Sequence, residues 1–516
     1  MSIASKIHPL RHLPTAALLL SLLCACSFHE YEDNTEADPV IPTEKYINLS
    51  IVVSSGNEST TRADETNDTP KGGEDGDGRE AGLARENEVT GITLMLYRDD
   101  AGINTENGTT AIDFIKYYPV KGPTKPEAPN TDNIEVSYTT DPQLITPTDI
   151  LLDTEYHAIV VANMDLTNKV KKGDKVIDVR DKCTKIIYQG TSIGIDAHNF
   201  VMSSEADFVF KLENPENKII DGKSALVYSI DGIRIERLAA RVDFWMKGAT
   251  YKATCETPGY EYEVVNDNGQ TTDDKFVLTA ITPFNLYNDD EYLIKRITGK
   301  NYDYADLKAP VIYLGKERVT TDIDHLNYVL SPYTDSKTAN TVPDYMEDYT
   351  LDNLLNHPEN YKGKPILLSD FQTETEAKFT YPDGGGYEWD NIILCYPKEN
   401  TLWKTTPLYY YATGLCIEGN YYKKGDETPI PLTYYGFIRH QGELGSGGVY
   451  NIMTKDKLAD YMEYKEEENT IFPMNFGVVR NNIYRISIEE ITQKGEIKWQ
   501  IKVKKWDKFT HSTIYM

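Results

Sequence analysis

Cys24 and Cys26 stand one residue apart at the close of an apolar run, in LLSLLCACSFHEYED, Leu19 to Asp33. Thiols so spaced invite three chemistries: a disulfide, a metal clip, or covalent modification of one sulfur. The other cysteines, Cys183, Cys255, Cys395 and Cys416, lie far apart with no C-x-x-C spacing, which argues against zinc. In an exported chain they are either disulfide partners, with a pairing that spacing does not reveal, or isolated buried thiols. GTSIG, Gly190 to Gly194, matches the pattern around a nucleophilic serine, here Ser192. That elbow needs a strand before the serine and a helix after it, whereas IDAHNFVMSS reads as loop and strand. His198 also follows too closely to serve as the base of that arrangement. EDGDGREAG puts Arg79 where a calcium loop wants Asp or Asn, and no Glu closes it. GELGSGGVY lacks phosphate-loop spacing, H-E-x-x-H is absent, and the nine His are scattered. These patterns supply no catalytic, cofactor-binding or metal-ligating set, and the chain is expected not to be an enzyme.

The elements around Cys26 give it a different chemistry. Lys6 and Arg11 precede an apolar stretch, Thr15 to Leu23, and small residues follow. Residues 1–25 read as a secretory signal peptide, too short to cross a hydrocarbon layer of ~30 Å. Leu23-Cys24-Ala25-Cys26 resembles the bacterial lipobox. The resemblance implies cleavage before Cys26, acylation of its sulfur, and loss of Cys24 with the leader. Each buried CH₂ contributes ~0.8 kcal/mol, so two or more acyl chains hold a protein at a membrane almost permanently. Residues 26–44 are polar and acidic, with Pro39 and Pro42, and read as a flexible lipidated tether.

At 516 residues the chain exceeds one typical core. Asp and Glu number 81 against 53 Lys and Arg, a net charge of −28, which argues against a nucleic-acid partner. Tyr is frequent, at 37 against 14 Phe, and suits half-wet strand surfaces.

Period-two patterns dominate. Ile47, Leu49, Ile51 and Val53 alternate with Tyr46, Asn48, Ser50 and Val52 in a first strand. Ser55 to Asn87 then holds almost no large apolar residue and reads as an exposed, protease-accessible loop carrying Arg62, Arg79 and Arg85. GITLMLYRDDAG forms a second strand, with Ile92, Leu94 and Leu96 on one face. Further strands are expected in EYHAIVVANM, NFVMSSEADFVFKL, GIRIERLAARVDFWM, NIILCYP, PLYYYATGLCIEG, TYYGFIRH, NNIYRISIEEIT and EIKWQIKVKKW. TKDKLADYMEYKEE is the best helical pattern. Many short strands between turn signals point to an all-β chain of sandwiches.

In order, the lipobox, TTRADE, VTGITLMLYRDDAG, HNFVMSS, IERLAARVDFW and FGVVRNNIYRISIEEI resemble the Bacteroidales fimbrillins of the type V pilus, the minor, short-fimbria kind above all. The resemblance covers nearly the whole chain from Cys26. It implies an all-β fold of two transthyretin-like β-sandwich domains in tandem with few short helices, at residues 63–225 and 226–516, after a propeptide at 45–62. It implies an outer-membrane lipoprotein precursor that an Arg-specific surface protease cuts, and an extracellular fimbrium when mature. The cut falls after Arg62, before Ala63, with Arg79 and Arg85 as alternatives. Loss of the first strand opens a groove, and a C-terminal strand of a neighbouring subunit fills it. In this chain that donor would come from WDKFTHSTIYM, with Phe509, Thr513 and Tyr515 on one face and Ile514 and Met516 on the other. Expected partners are copies of itself, anchor and tip fimbrial subunits, the protease, and outer-membrane lipid through Cys26; no cofactor is implied. Two other readings stay open: an uncleaved anchor or tip subunit, and a glycan-binding surface lipoprotein with Tyr409 to Tyr411 stacking on sugars.

Overall fold

Alternating apolar residues do fold as strands here. The structure is a computed structural model describing residues 44–53 and 79–507, the latter apart from short breaks and segments 99–108, 121–136, 299–311, 314–327, 333–348, 372–390, 401–411, 440–448 and 463–476. The first half runs β1 (Glu44–Val53), β2 (Arg79–Ala81), β3 (Gly91–Tyr97), β4 (Phe114–Pro119), β5 (Ser137–Thr139), β6 (Gln143–Ile145), β7 (Glu155–Ala162), β8 (Cys183–Thr184), β9 (Met202–Ser204), β10 (Phe208–Lys211), β11 (Glu216–Ile220) and β12 (Lys223–Arg237). The second runs β13 (Arg241–Trp245), β14 (Thr250–Lys252), β15 (Gly259–Val265), β16 (Thr271–Phe284), β17 (Glu291–Tyr292), β18 (Arg296–Thr298), β19 (Ile312–Tyr313), β20 (Tyr328–Leu330), β21 (Ile366–Leu367), β22 (Asn391–Cys395), β23 (Gly414–Tyr422), β24 (Ile430–Phe437), β25 (Val449–Ile452), β26 (Asn482–Ile491) and β27 (Ile497–Asp507). Helices are short: α1 (Val176–Arg180), α2 (Leu351–Asn356) and α3 (Lys455–Met462), the last within the expected helical pattern.

The chain is all-β. A ten-stranded sheet carries the order β4-β3-β7-β9-β12-β1-β5, with β6, β10 and β11 attached. Its core takes Ile47, Leu49 and Ile51 from β1 and Leu94, Val160 and Ile233 from its neighbours. Every residue of β3 is buried, so Met95 and Tyr97 are covered as well as the expected Ile92, Leu94 and Leu96. A strand buried on both faces shows no alternation to read. The segment 199–212, read as one strand, is two, β9 and β10.

Two six-stranded sheets, β2-β27-β26-β13-β22 with β25, and β14-β15-β16-β23-β24 with β21, enclose the second core. Val242, Phe244, Ile486 and Trp499 of one sheet meet Tyr262, Phe276, Leu278 and Ile417 of the other. This is a β-sandwich, and Ala240, Val242, Phe244 and Ile497, Trp499, Ile501, Val503 share its interior as their spacing predicts. The stretch read as one strand from Gly232 to Met246 instead splits into β12 and β13, and the chain crosses between sheets at Leu238–Ala240. Tyr396 and Ile483 of the second half reach into the first core, so the halves share a packed joint.

Candidate functional site: the slot held by the first strand

Ile47, Leu49 and Ile51 are completely buried, as the period-two pattern predicts. Each such side chain contributes about 1.5–3 kcal/mol when taken out of water. β1 is not an edge. It runs parallel to β12 over Glu44–Val53, with Leu49 opposite Ile230 and Ile51 opposite Ile233. Asp231 and Gly232 bulge out opposite Ser50, and Gly232 has φ +80°, a conformation that favours glycine. On its other side β1 meets β5 and β6, both antiparallel. Thr140 grips it at Leu49: the Leu49 N–H donates to the Thr140 hydroxyl at 3.0 Å, and the Thr140 N–H donates to the Leu49 carbonyl at 3.0 Å. Removing β1 therefore leaves a slot with two hydrogen-bonding walls.

β1 begins at the pole away from the joint. There Glu44 faces Lys223 at 3.5 Å, and the Tyr46 hydroxyl donates to Glu44 at 2.9 Å. These contacts, Tyr46 first, hold the Glu44 carboxyl below its usual value. β1 ends at Val53, opposite Ile235 and two residues from Arg237 at the joint.

The chain returns at β2, which pairs parallel with β27: Arg79 opposite Lys505, Ala81 opposite Asp507. A 3₁₀ turn follows at Ala84–Glu86. Glu86 is fully buried and ion-paired with Arg241 at 3.1 Å, and its carboxylate also accepts the Tyr396 hydroxyl. Arg241 forks onto Asp243 at 2.9 and 2.8 Å, and Arg485 joins at 3.4 Å. Arg237 donates to the Glu86 carbonyl at 2.9 Å and to the side chains of Asn481 and Asn87. A second array lies in the same joint: Arg480 reaches Glu291 at 2.8 Å and Glu399 at 3.1 Å, all fully buried. Burial pushes the Glu291 carboxyl up to about 8 although Arg480 opposes the shift. These arrays were not singled out from the sequence. Their signal is a set of charged residues inside otherwise apolar strands, as in RLAARVDFW.

Two of the three candidate processing arginines are visible. Arg79 opens a paired strand, and Arg85 lies in the 3₁₀ turn with Nε and one terminal nitrogen buried. A protease must lay several residues out in extended form, and both arginines are held by backbone structure or packing. Cys26, Arg62, Ala63, Phe509, Thr513, Ile514, Tyr515, Met516 and the Tyr409–Tyr411 run lie outside the described residues, as does the side chain of Val53.

No family model matches the chain, and no curated protein does. Solved structures do overlap it. A candidate cell-adhesion protein from Parabacteroides distasonis is 14% identical at TM-score 0.40, covering 91% of this chain and 100% of its own. A fimbrilin from Porphyromonas gingivalis is 13% identical at TM-score 0.34, covering 91% and 99%. A tip fimbrial protein from the same organism is 10% identical at TM-score 0.33, covering 90% and 100%. These neighbours are Bacteroidales fimbrial and cell-adhesion proteins.

The GTSIG stretch is structural. Its Ser192 carbonyl accepts the Tyr396 N–H at 2.8 Å, and Thr191 is tied to Asp196 at 2.6 Å. Gln189 and His198 close the loop by a backbone bridge, so the strand-serine-helix elbow is not formed. Among the described residues no group of His, Cys, Asp and Glu is placed to hold a metal ion, and no helix is long and apolar enough to cross a membrane. Cys395 and Cys416 are buried free thiols, which settles those two positions against a bridge.

Proposed function

We propose that the chain is a structural subunit of a cell-surface fimbria, carried to the outer membrane by a lipid on Cys26 and primed by cleavage after Arg62. Removal of β1 then exposes a slot that a C-terminal strand of another copy fills. The observation that carries this reading is the placement of β1. It is a central strand, walled on both sides and buried through Ile47, Leu49 and Ile51, yet it is joined to the rest of the fold only through the polar segment that holds Arg62. A slot with two unsatisfied walls and an apolar floor binds an extended strand strongly. The structured settings of Arg79 and Arg85 favour Arg62 as the cut site.

The test is the mature N-terminus of protein taken from the cell surface. A chain that begins at Ala63, and that forms heat-labile ladders on a gel, supports the reading. An Arg62→Ala variant is expected to stay lipidated and monomeric. A surface chain that keeps Cys26 and β1 and forms no ladders overturns the polymerising role and favours an uncleaved anchor.

A further inference from the structure

β1 fits its slot incompletely in two places. The Asn48 side-chain oxygen is buried with no hydrogen-bond partner. At the pole where β1 begins, a cavity of about 220 Å³ lies against Lys45, lined by Ile145, Thr146, Ile150, Leu151 and Leu152. Leu151 stands on its lip, 48% exposed. Among the described residues the walls are apolar except for Thr146, yet the β1 residue that borders them is a lysine, whose stem lines the space without filling it. When β1 departs, the cavity opens directly into the slot.

We propose that this cavity is the anchor pocket for Phe509 of a second copy. The inference rests on the strand-exchange reading above and adds the side chain that the slot selects. Polarity comes first. β1 runs from the pole to the joint, and the joint end of the slot abuts the packed second half of the same chain. The second half of the chain keeps a donor body away from the joint end. The incoming strand therefore enters at the pole and runs parallel to β12, as β1 does. Register follows. Phe509 is the first large apolar residue beyond Asp507, so in a strand that enters at the pole it is the side chain nearest the cavity. Phe509 then stands in place of Lys45, on the same face as Ile47 and Leu49, against the cavity. An aromatic ring has the size and polarity that the pocket wants, and lysine has neither. Docking of the donor body at the pole also covers the exposed Leu151 at the lip.

The experiment uses precursor cut with an Arg-specific protease and a labelled synthetic peptide of residues 508–516. The wild-type peptide is expected to bind the cut subunit, and a Phe509→Ala peptide at least ~10-fold more weakly. Independently, Lys45→Phe in the precursor fills the pocket from within, so β1 is expected to leave the cut subunit at least ~10-fold more slowly. Equal binding of both peptides, with β1 release unchanged by Lys45→Phe, overturns the pocket while strand exchange stands. If neither peptide binds and β1 is never released, the strand-exchange reading fails and the pocket goes with it.

Discussion

Glu86 and Arg241 lie 3.1 Å apart with both side chains completely buried. Glu86 belongs to the strap that follows β2, and Arg241 opens β13, so the pair fastens the early chain to the sandwich of the second half. Losing one partner of a buried pair leaves the other charge short of compensation, which typically costs several kcal/mol. Asp243 still holds Arg241 after the loss, which limits the damage. Glu86→Ala is expected to lower stability by about 3 kcal/mol, read as a drop in the urea midpoint at unchanged slope. Glu86→Gln keeps an acceptor for the Tyr396 hydroxyl and should lose less.

Thr140 satisfies both backbone groups of Leu49. Thr140→Val keeps the shape and removes the acceptor, so the buried Leu49 N–H is left unpaired at a cost of about 1–3 kcal/mol. The expected result is faster loss of β1 from the cut subunit, followed by the appearance of the free fragment that carries β1 and ends at Arg62. An unchanged rate would show that this bond is not part of the barrier.

Gly436 gives Trp499 its place. A Cβ on Gly436 would lie 2.2 Å from the indole ring and 2.6 Å from Ile452. Neither can withdraw, because Trp499 is buried between the two sheets of the sandwich. Gly436→Ala should therefore destabilise the second half by about 1–3 kcal/mol through overpacking, visible as a lower melting temperature and altered tryptophan fluorescence.

What the sequence made legible follows a physical line. Strands with one wet face, such as β1 and β27, announce themselves by alternation, and their inward residues are those expected. β3 is covered on both faces and hides half of its core residues from that test. The break between β12 and β13 is silent because Leu238, Ala239 and Ala240 are apolar on either reading. For the slot, the floor residues were readable and the walls were not. β5, β6 and β12 meet β1 through backbone pairing at long sequence separation, and no local pattern encodes that. The buried arrays likewise assemble from residues up to several hundred positions apart, each of which alone reads as a solvated charge.

Cys395 sits in the second core and Cys416 in a separate apolar cluster with Phe284 and Phe437, neither in a bridge, and burial pushes both thiols far above their usual range. The thiolate is the reactive form, so neither should react with a thiol reagent in the native subunit at neutral pH. Both should label at once in denaturant. Rapid labelling of the native chain at either position would mean that the sandwich opens far more readily than its packing implies.

Glu291 gives the joint a pH dependence with a definite sign. Its carboxyl faces Arg480, Glu399 and Lys398, and its second oxygen has no hydrogen-bond partner. Burial raises it from an ordinary 4.5 to about 8 in the folded chain. Below the ordinary value both folded and unfolded states hold the proton, and the group is neutral to stability. As pH rises towards 8 the unfolded chain gives up the proton while the folded one keeps it, so stability falls; above that it levels off. Glu291→Gln removes the titration and keeps an oxygen for Arg480 to bond. The variant is therefore expected to gain on the wild type progressively between about pH 4.5 and 8, and to hold a constant offset outside that window. Urea midpoints of both proteins across that range provide the check. A gain that shrinks as pH rises would mean that attraction to Arg480 outweighs burial and that the ionised pair stabilises the joint.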